Sequence, residues 1–225
     1  KPDIAIGAGH KTHLHLLAVK RCLNTKIVVI MKPSFPLIFF DLCIIPKHDG
    51  IKNCTNVINT QSSLVSFDSN LKKKENIGLI LIGGPSKHYF WDSRLVLQEI
   101  CKISKKFKFR RLLLTTSRRT PFDFVGELDK LNIYNIRVYE YSQIKGDWLD
   151  KHINKVKNIW VTNDSYSMIT EALASGADVD IIDLKAKQDS KLSKEIKIIK
   201  NNIKRKIPIQ NEAKRVANFI LKKWF

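Results

Sequence analysis

Three apolar runs of this chain end in small, hydroxyl-bearing or basic residues, and its chemistry is expected at those ends. GLILIGG stops at Gly83-Gly84 and leads into Ser86, Lys87 and His88. Paired glycines let the backbone turn tightly and approach a ligand, and free N–H groups at a helix start favour an anion. RRLLLTTS delivers Thr116, Ser117, Arg118 and Arg119. Two guanidinium forks can clamp a diphosphate bidentately. NIWVTND delivers Asn163 and Asp164, and the helix SYSMITEALASG follows. Ser165 and Ser167 can donate to phosphate at its N-terminus, and Glu171, about one turn further in, can accept from ribose hydroxyls. Each stretch alone also reads as plain structure: a glycine turn, two solvated arginines, a capped amphipathic helix. Their convergence at strand ends favours a phosphate-bearing ligand, because open parallel sheets bind ligands beyond the carboxyl ends of their strands.

Other candidates are weaker. His10, His13 and His15 cluster three imidazoles, but His15 falls on a different helix face, and no nearby carboxylate or Cys completes a metal set. Asp178-Val179-Asp180 spells a metal-holding DxD, yet it follows Gly176 and runs into a strand, so the match reads as chance. GxSxG, HExxH and paired-Cys motifs are absent. The basic segments carry few aromatics placed as stacking platforms, which argues against a sequence-reading nucleic-acid domain.

The elements that must position these residues repeat as strand, glycine-containing turn, helix. PDIAIGAG, KIVVIM and DLCIIP read as strands, with HKTHLHLLAVKRCL as a helix after the first. Continuous rather than alternating apolar runs mean strands covered on both faces, hence a parallel sheet. A polar stretch, 68–76, reads as a linker. A fresh series over 77–184 predicts a doubly wound α/β unit. The closing helix NEAKRVANFILKKWF places Val216, Phe219, Ile220 and Trp224 on one face. The expected division is a partial N-terminal Rossmann-like domain (1–70), a C-terminal Rossmann-like domain (77–205) and a helix (206–225) packing back toward the first.

Forty Lys plus Arg face twenty-one Asp plus Glu, for a formal net charge of +19. Nucleic acid, an anionic membrane surface and an anionic small substrate all fit such a balance. A composition rich in Lys, Ile and Asn is the competing account, since the charge is diffuse. Cys22, Cys43, Cys54 and Cys101 lack CxxC spacing and read as reduced, mostly buried thiols. No apolar run reaches membrane-spanning length. The expected location is the cytoplasm, with a peripheral membrane contact through Lys222, Lys223 and Trp224 as an alternative.

The GG loop, the TTSRR loop and the stretch from Thr162 to Leu184 resemble the C-terminal half of a GT-B glycosyltransferase. More closely, PDIAIGAGHKTHLHLLAVKR, IVVIMKPSFPLIFFDLCIIPKHD, GLILIGGPSKHYFWD, LLLTTSRRTP and WVTNDSYSMITEALASGADVDIIDL resemble the mitochondrial-fission (elongated mitochondria) family of plants and its bacterial relatives. The resemblance covers the chain to about Leu184. It implies a GT-B-like fold and, from the bacterial members, metal-independent transfer of a sugar from a nucleotide-diphosphate donor to an acceptor. From the plant member it implies a non-catalytic fission adaptor. Gly83, Gly84, Ser86 and Lys87 fall on the first phosphate-side loop, and Arg118 and Arg119 on the next. Ser165, Ser167 and Met168 fall at the diphosphate-facing helix start, and Glu171 on the ribose carboxylate. His13, or His10, becomes the candidate base, with a surface histidine as the plain reading of each. Family members have further strands before Lys1, so the N-terminal domain is expected to be truncated. No cofactor besides the donor is implied.

Overall fold

The computed structural model describes residues 1–52, 54–61, 64, 74–107, 111–144, 146–205 and 211–225. The chain divides into two compact units, one formed by Lys1–Leu64 with Glu212–Phe225 and the other by Val65–Asn211.

The first unit contains β1 (Ile4–Ala8), α1 (His13–Leu23), β2 (Lys26–Ile30), β3 (Leu42–Pro46) and β4 (Val57–Thr60). The strands pair in parallel in the order β1-β2-β3-β4. The apolar run of β2 explains the layering. Ile27 and Val29 point to one side and join Leu16 of α1 in a buried cluster. Val28 points to the other and joins Leu42, Ile44 and Val216. Val216 belongs to α7 (Glu212–Trp224), whose Ile220 and Trp224 pack against that same cluster. The helix is tied at its first turn, where buried Glu212 accepts from the Gln61 N–H at 3.2 Å and from Arg215, which also donates to the Asn59 carbonyl at 2.7 Å. Phe219, expected on the buried face, is 41% exposed and lies under the Lys223 ammonium. Trp224 is partly buried against the sheet cluster, the packing considered as the alternative to a lipid contact.

The second unit contains β5 (Lys74–Leu81), α2 (Ser93–Lys106), β6 (Arg111–Thr115), α3 (Phe124–Lys130) and β7 (Ile136–Tyr139). It continues with α4 (Trp148–Ile153), β8 (Val156–Thr162), α5 (Tyr166–Ala174), β9 (Asp178–Ile182) and α6 (Lys191–Lys204). All five strands are parallel, in the order β7-β6-β5-β8-β9. The doubly wound α/β class read from the sequence is therefore the observed one. Leu79, Ile80, Leu81 and Ile82 are all buried, as a central strand covered on both faces requires.

Three details differ from the sequence reading. β5 begins at Lys74, inside the stretch read as linker, whose residues 68–73 lie outside the described residues, as do 206–210. α6 falls in a tract read only as basic. Its start is fixed by a reciprocal cap between Ser190 and Ser193, and it buries Ser193 and Ile196. Cys43 alone is a buried thiol, and burial raises its pKa to about 11; Cys22 and Cys54 are exposed.

Val216→Ala is expected to lower stability by about 1.5–3 kcal/mol, from lost burial plus the cavity left behind. Phe219→Ala is expected to stay within about 0.5 kcal/mol of the parent. Urea denaturation of both variants checks the pair, and equal effects would refute the assigned faces.

Candidate functional site

In the five-stranded sheet the chain leaves β5 toward β6 on one side and later returns to β8 on the other. The strand order reverses between β5 and β8, and that is where open α/β sheets form a crevice. An open cleft of about 550 Å³ lies at these ends, lined by Pro85, Ser86, Lys87, His88, Arg119, Asp164 and Lys187.

Its floor is a buried carboxylate. The Asp164 side chain has no solvent exposure, and its Oδ2 accepts from the Gly84 N–H at 3.0 Å and from Arg119 at 2.7 Å. Arg119 also donates to the carbonyls of Gly84 and Pro85, both at 3.1 Å. The Gly83 N–H donates to Thr162 Oγ1 at 2.8 Å, and the Thr120 hydroxyl donates to the Gly83 carbonyl. Loops after β5, β6 and β8 are thus bound to one another. The glycines are explained by close approach of protein to protein rather than protein to ligand. A Cβ on Gly83 would meet the Asp164 carboxylate, and one on Gly84 would meet the Arg119 backbone.

The structure redistributes the predicted residues. Ser86, Lys87, His88, Arg119 and Asp164 come together at the cleft. Ser86, Lys87 and His88 do not sit at a helix start: α2 begins at Ser93, capped by Asp92, whose carboxylate accepts from the Leu95 N–H. Ser86 Oγ instead accepts from the N–H groups of His88 and Tyr89. Arg119 is committed to Asp164 and to carbonyls, so it is no free phosphate clamp. Arg118 lies over the Tyr141 ring at 5.6 Å. Thr116 Oγ1 accepts from the Tyr141 N–H, and Ser117 Oγ accepts from the Arg119 N–H, so both hydroxyls shape loops. Asn163 spends its carboxamide on the N–H and carbonyl of Leu184. Met168 packs against the main core. Ser165 caps α5 by position but makes no side-chain cap bond, and Ser167 is exposed.

Glu171 does not line the cleft. It is half-buried, and burial first, then the charge of Asp150 on α4, raises its pKa. Tyr89, beneath the cleft, is likewise pushed up, by burial and by the charges of Asp183 and Asp164.

Lys187 was missed by sequence reasoning. It is placed by an antiparallel bridge between Tyr89 and Ala186, its N–H donates to the His88 carbonyl at 2.8 Å, and its ammonium donates to the Ser86 carbonyl at 2.9 Å. A single basic residue within a lysine-rich tract carried no signal of this long-range pairing.

In the first unit His13 is 1% exposed, with both ring nitrogens unpartnered and its edges against Phe35 and Phe40. In this structure the ring is closed off from solvent, contrary to the open position expected of a candidate base. His10 is exposed. Among the described residues no three His, Cys, Asp or Glu side chains converge as a metal site. No helix among them is long and apolar enough to cross a membrane.

The profile described as Mitochondrial fission ELM1 matches residues 1–224. The chain belongs to that family. An uncharacterised protein of Rickettsia prowazekii is 24% identical over 224 residues, 78% of this chain. The chain spans 63% of that relative's length. Among solved structures, a UDP-GlcNAc 2-epimerase from Methanocaldococcus jannaschii superposes with a TM-score of 0.54 at 12% identity, over 98% of this chain and 77% of that one. A protein from Listeria monocytogenes, provisionally assigned as a UDP-N-acetylglucosamine 2-epimerase, gives 0.50 at 12% identity over 87% and 60%. These ELM1-family units therefore have the Rossmann-like construction of GT-B glycosyltransferases and epimerases.

Two predictions follow from the geometry. Asp164→Ala is expected to cost about 2–3 kcal/mol, since it strands the Gly84 N–H and unpairs a partly solvated arginine. Asp164→Asn costs less, because an amide oxygen still accepts from Gly84. Thermal unfolding of the two variants decides, and a loss within about 0.5 kcal/mol for Asp164→Ala would remove the tie. Glu171→Gln is expected to stabilise the protein at neutral pH. The raised pKa means ionised Glu171 is disfavoured in the folded state, so its removal relieves a cost. The gain should fade as the pH falls through the ordinary carboxylate range, where the parent side chain is protonated folded or unfolded. Urea midpoints at several pH values check the sign.

Proposed function

We propose that the Val65–Asn211 unit binds a nucleotide-diphosphate sugar, and that this ELM1-family member transfers the sugar to an acceptor. The observation that carries the reading is the cationic cleft at the strand-order reversal, where Lys87 and Lys187 flank a carboxylate-anchored Arg119. A diphosphate leaving group develops negative charge, and ammonium groups lining the cleft would stabilise it where it forms. Side-chain cations would thereby fill the part that a divalent ion fills in metal-using transferases. The solved neighbour from Methanocaldococcus jannaschii is a UDP-GlcNAc 2-epimerase, which supports a nucleotide-sugar as the ligand class. The proposal rests on Lys87 and Lys187, with Arg119 holding the cleft's floor; Glu171, which does not line the cleft, takes no part in it.

A second reading is binding without turnover, as an adaptor of the mitochondrial-fission type. The burial of His13 favours it, since one of the two histidines considered as base is closed to solvent.

Calorimetric titration with UDP-N-acetylglucosamine, then other nucleotide-diphosphate sugars, tests both readings. Lys87→Ala and Lys187→Ala are each expected to weaken binding by about tenfold, the equivalent of about 1.4 kcal/mol per lost charge-assisted contact. Added salt should weaken the parent in the same direction. Binding with no release of nucleoside diphosphate in the presence of cell-extract acceptors would select the adaptor. No binding by any donor would sink the proposal.

A further inference from the structure

β2 and β3 are joined without an α-helix, through residues 31–41 and the single turn Leu37–Phe39. Two apolar side chains of this connection are explained by packing. Phe40 is buried and Leu37 partly buried, both in the cluster that contains Leu16 of α1. Three others are not so explained. Ile38 is 81% exposed, Phe39 47% and Phe35 36%. Phe35 at least meets the buried His13 ring edge-on, whereas Ile38 above all lacks packing of its own. Single exposed apolar residues are ordinary, but large ones gathered at one turn mark a contact surface.

The turn is held in place. Asn56 Nδ2 donates to the carbonyls of Leu37 at 2.8 Å and Phe40 at 3.0 Å. The N–H groups of Phe39 and Phe40 donate to the carbonyls of Pro36 and Leu37. Lys20 of α1 donates to the Phe39 carbonyl and to Asp41, both at 3.1 Å, and Asp41 accepts from the Ile27 N–H of β2. The backbone on both sides of Ile38 is thus fixed, and its apolar side chains stay turned to solvent. A tip ordered in advance leaves little ordering cost for the moment of contact.

Its surroundings are cationic. In the unit formed by Lys1–Leu64 and Glu212–Phe225, twelve Lys and Arg face four Asp and Glu. Two of those four, Asp41 and Glu212, are turned onto Lys20 and Arg215. Lys32, three residues before Phe35, is exposed. An apolar tip on a cationic unit fits a surface that is anionic outside and apolar within. A second copy of this chain would bring the same positive charge to the contact. A projecting isoleucine also suits a medium that parts around it better than a pocket of fixed shape.

We propose that the 35–39 tip enters the headgroup layer of an anionic membrane, with Lys20 and Lys32 meeting lipid phosphates beside it. Apolar insertion and electrostatic attraction are each weak alone and together hold a protein at a bilayer. This is a surface contact, and it is independent of the ligand proposed for the cleft of the other unit.

The test is cosedimentation of the full chain with vesicles of phosphatidylcholine alone and of phosphatidylcholine mixed with phosphatidylglycerol. The mixed vesicles are expected to bind at least about tenfold more tightly, and added salt should weaken them. Diffuse charge would do as much, so Ile38 decides. Ile38→Ser should weaken binding to the mixed vesicles by about tenfold, what burying most of one isoleucine is worth. Ile198→Ser, the same change at an exposed isoleucine of α6, should leave binding unaltered. Thermal unfolding checks that both variants fold, as exposed positions allow. Ile38→Trp should show more quenching than the parent by lipids brominated in their acyl chains. Ile38→Ser binding like the parent, or Ile198→Ser losing as much, overturns the proposal in favour of diffuse charge. No binding to either vesicle overturns it and leaves the tip to an acidic protein partner. Light scattering that finds the parent dimeric and Ile38→Ser monomeric assigns the tip to a second copy instead.

Discussion

The buried Asp164 carboxylate organises the second unit. A charge without solvent exposure is tolerable only when paired and hydrogen-bonded, and this one accepts from a backbone N–H and a guanidinium. Meeting that demand draws Gly84, Arg119 and β8 to one point. The two glycines after β5 follow, because no side chain fits between that loop and its partners. The turn after β6 follows as well, with Thr120 holding the Gly83 carbonyl and Ser117 holding Thr120. Three strand ends are fixed for the sake of one carboxylate.

That constraint divides the basic residues by role. Arg119, with a rigid fork suited to several acceptors, is spent on Asp164 and on two carbonyls. Arg118, its neighbour, is turned to the other side of the loop and onto Tyr141. The cations left to meet a ligand in the cleft are lysines, compact and strongly hydrated point charges on flexible stems. They suit a ligand that arrives with its own charge and leaves again, as a product diphosphate must. Adjacent arginines in a sequence thus need not act together, since the backbone turn between them decides which way each one points.

The strands and the parallel class were legible because strands covered on both faces must be apolar throughout, as in KIVVIM and GLILIGG. The strand ends were legible for the same reason, and with them Lys87, Arg119 and Asp164. What stayed hidden depends on partners distant in sequence. Lys187 reaches the cleft only through the pairing of Tyr89 with Ala186. His13 is buried by Phe35 and Phe40, from a loop whose path no local pattern records. The start of α2 was misplaced because a glycine pair resembles the entry to a helix, whereas the true cap, Asp92, lies beyond an irregular loop. α6 escaped because lysine and asparagine dilute its apolar stripe, although Ser190 and Ser193 spell its cap.

The difference between a transferase and an adaptor on this scaffold lies outside the Asp164 tie. Both need the strand ends held, and the tie holds them whether or not chemistry follows. A transferase needs in addition a proton acceptor beside its acceptor hydroxyl. His13 is sealed by aromatic rings in the first unit, while His10, on the turn after β1, keeps its exposure. A fold of this kind can therefore lose or gain turnover through a few side chains on one turn and keep the cleft at its strand ends intact. Fold and ligand class are then the properties a family shares most widely, and activity the one its members can differ in.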